Sequence, residues 1–292
     1  MRGWSFRKLL SGTVLLAVAV ASAQESVPSL RVMSFNVRYG RADDGENAWP
    51  HRRRLLIETV KAFGPDLLGT QEALGFQAEF LRQNLPGYAH VGWSREPDSA
   101  DGEQCGILFR EERFERRDAG QFWLSETPDV PGSRGWDAAL PRVATWVRLR
   151  DRRQGSELVF LNTHFDHVGE EARRQSARLL RTRLRDLGPS QPWIVAGDFN
   201  APEGSPPWEV LVGSAGDDGL VVIDAWRAAH PARTDGEGTF HAFGGERSGG
   251  RIDWILHSSR FETVGATIDR TAEDGRFPSD HFPVTAVLRW RP

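Results

Sequence analysis

The 292-residue chain is 26% charged and 39% hydrophobic, with 40 acidic against 37 basic side chains, proportions that exclude a disordered chain, a collagen and a polytopic membrane protein. Its length fits two average domains, but sandwich and α/β folds often hold about 250 residues around one core, so one large domain is expected. A net charge of −3 gives no whole-molecule attraction for nucleic acid or an anionic membrane, leaving a local basic cleft as the electrostatic route to such partners.

In chain order, Arg2, Arg7 and Lys8 precede an apolar run from Leu9 to Val20, and Ala21-Ser22-Ala23 supplies the small residues of a signal-peptidase site. The run is too short for a permanent membrane span. Residues 1–23 therefore read as a signal peptide, residues 24–292 as the mature domain, and the location as secreted or periplasmic. Without those three cations the formal charge is about −6. Cys105 is the single cysteine, so no intramolecular disulfide is expected and the core must supply stability.

Leu30 to Val37 alternates like a half-buried strand, and Arg52 to Phe63 places Leu55, Leu56, Thr59, Val60 and Phe63 at helical spacing before Pro65 ends the helix. Asp66 to Thr70 is a short strand, Phe76 to Leu85 a second helix, and Cys105 to Phe109 a strand closing on the charged turn Arg110 to Arg113. Two strands, Arg142 to Arg150 and Glu157 to Phe165, flank a polar turn. Glu170 to Leu187 is the strongest helix, Trp193 to Ala196 a buried strand, Pro207 to Val212 a short helix, and Arg251 to His257 and Pro283 to Trp290 are late strands. Loops are expected at Asp98 to Glu103, Thr127 to Pro141 and Phe243 to Gly250. Strands outnumber helices and neighbours look antiparallel, which suits two packed sheets with helices outside them.

Five strings put acids, amides or histidines at the ends of apolar runs: Ser34-Phe35-Asn36, Gln71-Glu72, Asn162-Thr163-His164, Gly197-Asp198-Phe199-Asn200 and Ser279-Asp280-His281. A lone Asn or Asp at a strand end is more often a turn former or cap, but five together, all at strand ends, can converge on one rim. With Gly69-Thr70, Gly102-Glu103 and Gly250-Arg251-Ile252-Asp253-Trp254, these strings resemble the endonuclease/exonuclease/phosphatase (DNase I-like) superfamily over Leu30 to Trp290. Asp43-Asp44-Gly45-Glu46-Asn47, Phe122 to Pro128 and Pro141-Arg142 further resemble a bacterial branch of it.

The resemblance implies an α+β fold, a four-layer α/β/β/α sandwich of two mixed sheets flanked by helices. It implies a Mg²⁺-dependent phosphoric ester hydrolase, Mn²⁺ being the alternative metal, in which water attacks phosphorus with no covalent enzyme intermediate. Such a reaction needs charge neutralised on the non-bridging oxygens, a positioned water and help for the leaving oxygen. By resemblance Glu72 is the surest metal ligand, with Asn36 and Asp280 as further hard oxygen donors. Asp198 and His281 would position and activate the water, with Asp280 or another acid orienting the imidazole. Asn200 would hold a phosphate oxygen, His164, paired to Glu103, would face the phosphoryl group, and Asp253 would support the metal and histidine cluster.

Competing chemistries are poorer fits. His164-Phe165-Asp166-His167 has zinc-like spacing, but only His241 is left as a spare ligand in a motif-like string, and no Gly-x-Ser-x-Gly elbow occurs. Arg38 stands where abasic-site endonucleases carry an acid. His51-Arg52-Arg53-Arg54 is either a solvated helix face or, with Arg142 and Arg38, part of a cleft for a compact anion. Trp49 and Trp136 are candidate platforms for a sugar or base, and Trp123 a core residue. The expected partner is a small phosphorylated substrate met by a monomer. An extracellular nuclease is the alternative, and a non-catalytic binding module the remote one.

Overall fold

A computed structural model describes residues 1, 29–187, 190–213 and 219–291. The apolar segment and cleavage site read as a signal peptide lie outside the described residues, apart from Met1. Among the described residues no helix is long and apolar enough to cross a membrane.

Twelve strands form two six-stranded sheets. The first takes β1 (Ser29–Asn36), β2 (Leu67–Ala73), β3 (Tyr88–Val91), β4 (Gln104–Arg110), β11 (Phe261–Ile268) and β12 (Val284–Trp290), in the order β11-β12-β1-β2-β4-β3. The second takes β5 (Phe114–Trp123), β6 (Val143–Asp151), β7 (Glu157–His164), β8 (Trp193–Asp198), β9 (Val222–Asp224) and β10 (Asp253–Ser258), in the order β5-β6-β7-β8-β10-β9. Pairing is antiparallel except for β1 with β2 and β7 with β8. Helices α1 (Trp49–Phe63), α2 (Gly75–Asn84) and α3 (Glu170–Asp186) are the long ones. Short α4 (Pro206–Trp208), running into a π-helical turn, and α5 (Ala225–Ala229) complete the set.

Three apolar interfaces make this a four-layer sandwich. Val32, Leu67, Ile107, Val147, Phe160 and Ile194 pack sheet on sheet. Leu180 and Leu184 of α3 pack on the outer face of the second sheet against Val159 and Val195. Leu56 and Val60 of α1 pack on the outer face of the first against Met33 and Leu68. Alternate residues of one interior strand thus face two different cores, as Met33 and Val32 do, and both are fully buried.

All eight interior strands are those expected from the apolar runs, with no end shifted by more than three residues. The four strands absent from that reading, β3, β5, β9 and β11, are the four sheet edges. An edge strand buries one face at most and keeps charges on the other. β5 carries Glu115, Arg116, Arg117 and Asp118 in a row and slips register between Arg116 and Asp118, while β11 slips between Thr263 and Gly265, so neither shows a clean period of two.

Candidate active site

The two parallel strand pairs deliver their C-terminal ends to one rim, where a ligand site of a mixed α/β sheet is expected. Asn36 pairs with Gln71 across β1 and β2, His164 with Asp198 across β7 and β8, and Asp253 with Asp198 across β10 and β8. Three adjacent strands therefore present His164, Asp198 and Asp253 at one level. Beneath the rim a buried amide bridge ties the sheets together: the Asn162 side-chain N–H group donates to the carbonyls of Thr70 and Gly106 (both 2.8 Å), and Gln71 Nε2 donates to Asn162 Oδ1 (2.6 Å). Gly69 makes room for it, since a Cβ there would stand 2.7 Å from Asn162 Oδ1.

Glu72 is turned into the site by a bulge. The β2–β4 register breaks between Thr70 and Ala73, and Glu72 adopts φ +62°. Arg38 (φ +60°) and Asn200 (φ +47°) share this left-handed conformation, which costs a non-glycine residue on the order of 1 kcal/mol and is stored preferentially at functional sites. Tyr39 N–H donates to Glu72 Oε2 (2.8 Å), and Asn36 Nδ2 donates to Glu72 Oε1 (3.0 Å) and to Asp198 Oδ2 (2.9 Å). Asn200 N–H donates to Asp198 Oδ1 (2.9 Å).

His281 Nδ1 lies 2.9 Å from Asp253 Oδ2, and its Nε2 lies 3.7 Å from Asp198 Oδ2. The acid that orients this imidazole is therefore Asp253 and not Asp280, its neighbour in sequence. Asp280 instead faces Arg38 Nη1 at 3.5 Å. Burial pushes the Asp198 carboxyl up to about 7, with Asp253 adding to it. Burial alone would lower His281, but Asp253 and Asp198 override it and raise the imidazole to about 10. Burial and then Glu72 raise Asp280. The pair His281–Asp198 thus holds a proton in a crowd of carboxylates short of positive charge.

That shortage is the observation bearing on a metal. Hard oxygens of Glu72, Asp280 and the Asn36 amide stand next to carboxylates whose ionisation is penalised, and a hard dication would relieve the penalty. Asp198, Asp253 and His281 also offer one ligand atom each within 4.8 Å of one another, although His281 Nδ1 and Asp253 Oδ2 are paired with each other. The residues present fit a divalent oxygen-ligated cation.

Across the cavity His164 departs from expectation. Its Nδ1 is met by Arg142 Nη1 at 3.1 Å, whereas Glu103 accepts from Arg95 Nη2 at 2.8 Å. The pairing of His164 with Glu103 is thus replaced by two arginine contacts. A guanidinium only donates, so Nδ1 is the acceptor and the ring proton sits on Nε2. That nitrogen is 3.5 Å from Asp198 Oδ2, and 3.0 Å from Asn200 Nδ2, which donates to the Phe165 carbonyl (3.1 Å) and cannot accept from it. Burial, then Arg142 and Arg95, hold His164 well below its ordinary value, so it faces the site as a neutral donor. Arg142 is itself oriented by His167 Nδ1 (2.8 Å) and Asp166 Oδ2 (3.4 Å).

The cavity, about 370 Å³, is lined by Arg38, Glu72, Glu103, Arg142, His164, Asp198, Asn200, Asp280 and His281, and also by Tyr39, Arg95, His167 and Phe240. Asn36 and Asp253 stand directly behind it through the contacts already given. No apolar run marks Arg95 in the sequence, and His167 is read there only as part of a zinc-like string. Phe240, 47% exposed, packs its ring 5.1 Å from that of His281. It occupies the place of an aromatic platform, whereas Trp49 is 4% exposed against Phe76 and Phe80, and Trp136 does not line the cavity. Trp123 is half-buried, its Nε1 donating to the Arg95 carbonyl (2.9 Å), which makes it a brace and not a core residue.

Three of the basic tetrad, His51, Arg53 and Arg54, lie on the exposed face of the helix, as one of the two readings has it; Arg52 is the exception, and none of the four lines the cavity. Arg52 is fully buried and donates to the carbonyls of Asn47, Val37, Pro278 and Arg38, pinning the turns that carry Arg38 and Asp280. Arg53 lies over Phe80, and Arg54 pairs with Glu58 and Glu273 on the surface. His241 stacks on Phe282 with ring centroids 3.9 Å apart and is lowered by burial to about 4, a packing role outside any zinc set.

Comparison with known proteins agrees with this geometry. The family model described as the endonuclease/exonuclease/phosphatase family matches residues 33–281. The chain is similar to a solved endonuclease/exonuclease/phosphatase family protein of Bacteroides thetaiotaomicron, with 33% identity, TM-score 0.83, and 91% of this chain and 96% of that one covered. It is equally similar to the mannosyl-6-phosphatase of the same organism, with 33% identity, TM-score 0.81, and 89% and 100% covered. A curated relative, the CCR4-Not complex 3'-5'-exoribonuclease subunit Ccr4 of Emericella nidulans, is 26% identical over 171 residues, 49% of this chain and 25% of that much longer protein.

Proposed function

The chain belongs to the endonuclease/exonuclease/phosphatase family, and on that footing we propose that this phosphoesterase hydrolyses a phosphate ester of a compact carbohydrate, a sugar phosphate before a phosphodiester headgroup. The observation that carries the reading is the cavity itself. About 370 Å³ is near the small end of ligand pockets, and its walls carry the cations Arg38, Arg95 and Arg142 together with the carboxylates Glu72, Asp198 and Asp280. The similarity to a mannosyl-6-phosphatase along that protein's full length supports a sugar monoester.

Mg²⁺ or Mn²⁺ held by Glu72, Asp280 and Asn36 would neutralise the non-bridging oxygens. The chain's own groups do the rest. Asp198, aimed by Asn36 Nδ2 and Asn200 N–H, takes the proton of the attacking water, while His281, which Asp253 orients and keeps protonated, donates toward the reacting oxygens. Arg142 fixes the His164 tautomer so that Nε2–H donates to the phosphoryl group as negative charge develops there. Arg38, braced by Asp44 (2.9 Å), extends positive charge over the substrate side of Asp280.

A nuclease is the second reading, favoured by the exoribonuclease relative. Against it stands the fate of the basic tetrad: none of His51 to Arg54 lines the cavity, so that cluster supplies no cations to lead a polyanionic strand into the site. Hydrolysis of mannose 6-phosphate, p-nitrophenyl phosphate and bis-p-nitrophenyl phosphate with Mg²⁺, Mn²⁺ or EDTA, beside plasmid nicking and RNA degradation, tests the proposal. Metal-dependent release of phosphate from the monoesters is the expected result; cleavage of nucleic acid with no monoester turnover would replace it with the nuclease.

Residues 1–23 are further proposed as a cleaved signal peptide, so that the hydrolase acts outside the cytoplasm. The purified extracytoplasmic protein should begin at Gln24, and an intact Met1 on active protein would overturn this.

A further inference from the structure

A second cleft, of about 540 Å³, lies between the β3–β4 connection and edge strand β5. Trp93, 47% exposed, and Trp123, anchored through its indole N–H to the Arg95 carbonyl, are its aromatic walls. Its polar floor is Gln104, 9% exposed, whose Oε1 has no hydrogen-bond partner. An amide oxygen buried this deeply without a donor is costly, about 1–3 kcal/mol, unless something that donates comes to it. Gly92 keeps the approach open, because a Cβ there would stand 2.9 Å from that oxygen.

The chemistry of the walls selects the ligand. Apart from Glu96, no charged side chain lines the cleft. The Gln104 carbonyl and the Glu96 carboxylate are acceptors, so the complementary ligand brings donors and apolar faces. A pyranose does both, offering hydroxyl hydrogens to the acceptors and C–H faces to indole rings. A nucleic-acid strand would also stack on tryptophan, but it would bring phosphates to a cleft whose lining has no cation and whose one carboxylate, Glu96, already holds Arg95 (2.7 Å).

One segment separates this cleft from the catalytic cavity. Ser94 bridges to Gln104 in extended conformation, and Trp93, Ser94 and Glu96 face the second cleft. Arg95 between them points its guanidinium to Glu103 and lines the catalytic cavity. We propose that the second cleft is a neutral-carbohydrate subsite, and that the substrate is a phosphorylated oligosaccharide or glycan whose sugar units beyond the phosphorylated one rest on Trp93 and Trp123. This rests on the sugar-phosphate reading of the catalytic site. It adds that the enzyme selects a chain and not a single sugar.

Binding can be measured without turnover. Titration of mannobiose, cellobiose and maltose into wild-type protein should quench and shift tryptophan emission saturably for at least one of them. Trp93→Ala should abolish the response, and Gln104→Leu should weaken binding about tenfold while leaving Tm unchanged or higher, since it removes a buried unpaired carbonyl. No saturable response in the wild type, or displacement of the sugar by oligo(dT), would overturn the subsite. In a second arm, the ratio of kcat/KM on a phosphorylated trisaccharide to that on the matching monosaccharide phosphate should fall about tenfold in Trp93→Ala; an unchanged ratio would overturn the link to the substrate. Saturable disaccharide binding by a protein that hydrolyses no sugar phosphate would uphold the carbohydrate site and refute the catalytic reading, so the two failures are separable.

Discussion

The two ends of the sandwich bury the same kinds of side chain and leave them in opposite states. At the end away from the cavity, Arg113 is fully buried and donates to Asp66 Oδ2 (2.8 Å), Asp151 Oδ2 (2.8 Å) and the Ser29 carbonyl (2.7 Å), while Trp290 Nε1 faces the same Asp151 oxygen. Backbone N–H groups of Arg31 and Arg153 meet the acids as well. Each acid there has several donors, and no channel to solvent is needed. At the cavity end four carboxylates, Glu72, Asp198, Asp253 and Asp280, converge around the protonated imidazole of His281, with His164 beside them neutral, and Asp253 Oδ1 has no partner. The difference teaches how to separate a structural ion cluster from a catalytic one: by whether donors match acceptors, not by how many charges are buried.

Removing a group from each end should break the protein in different ways. Glu72→Gln should lower kcat/KM by roughly 10³-fold, with partial rescue at high Mg²⁺. The Tm of metal-free protein should not fall, because a crowded carboxylate has been discharged; near-normal activity at limiting metal would refute the ligand role. Arg113→Leu should do the reverse. It strands two buried acids, so chemical denaturation should show a loss of about 3–5 kcal/mol, and whatever protein still folds should retain its kcat. A Tm change smaller than that of an exposed pair such as Arg54–Glu58 would mean the far cluster is not structural.

A third change tests the imidazole inside the unbalanced end. His281→Ala should reduce kcat by about 10²-fold with little change in KM, since its work is done in the transition state. An effect confined to KM would make His281 a binding residue.

How much of this could be read from the chain alone follows the same contrast between buried and exposed surroundings. The interior strands are legible because both of their faces are covered, so β7 and β8 spell apolar runs and β1 keeps Leu30, Val32, Met33 and Phe35 around Arg31 and Ser34, and the residues that end those segments, Asn36, His164 and Asp198, are marked by their position. Edge strands such as β5 are set by pairing with β6 and not by their own pattern. The partners of His164 and Glu103 were not legible, because Arg142 reaches the one and Arg95 the other through connections whose course no local signal dictates. Arg52 is the clearest instance: in sequence it is one of three consecutive arginines, and only the closing of the 37–38 and 278 turns around it decides that it is buried while Arg54 is not.

The smallest expected effect concerns Asp166, a carboxylate at the cavity end that is satisfied in the manner of the far end. Its Oδ1 accepts from the N–H groups of Val168 (3.0 Å) and Gly169 (2.8 Å), where α3 begins, and its Oδ2 lies 3.4 Å from Arg142 Nε. Burial acts to raise it, but the backbone hydrogen bonds and then Arg142 outweigh burial and bring it from 3.8 to about 2. The sign follows from that depression. In the unfolded chain Asp166 takes up its proton near pH 4, whereas the folded protein resists protonation until about pH 2. Its contribution to stability is therefore complete above pH 4 and is lost as the pH falls from 4 to 2. Asp166→Asn keeps the shape and discards the charge, so the difference in unfolding free energy between wild type and variant should be constant above pH 4 and shrink toward pH 2. A difference that grew on acidification would place Asp166 with Asp198 and Asp280, whose burial raises them, and the line drawn between matched and unmatched carboxylates would have to be moved.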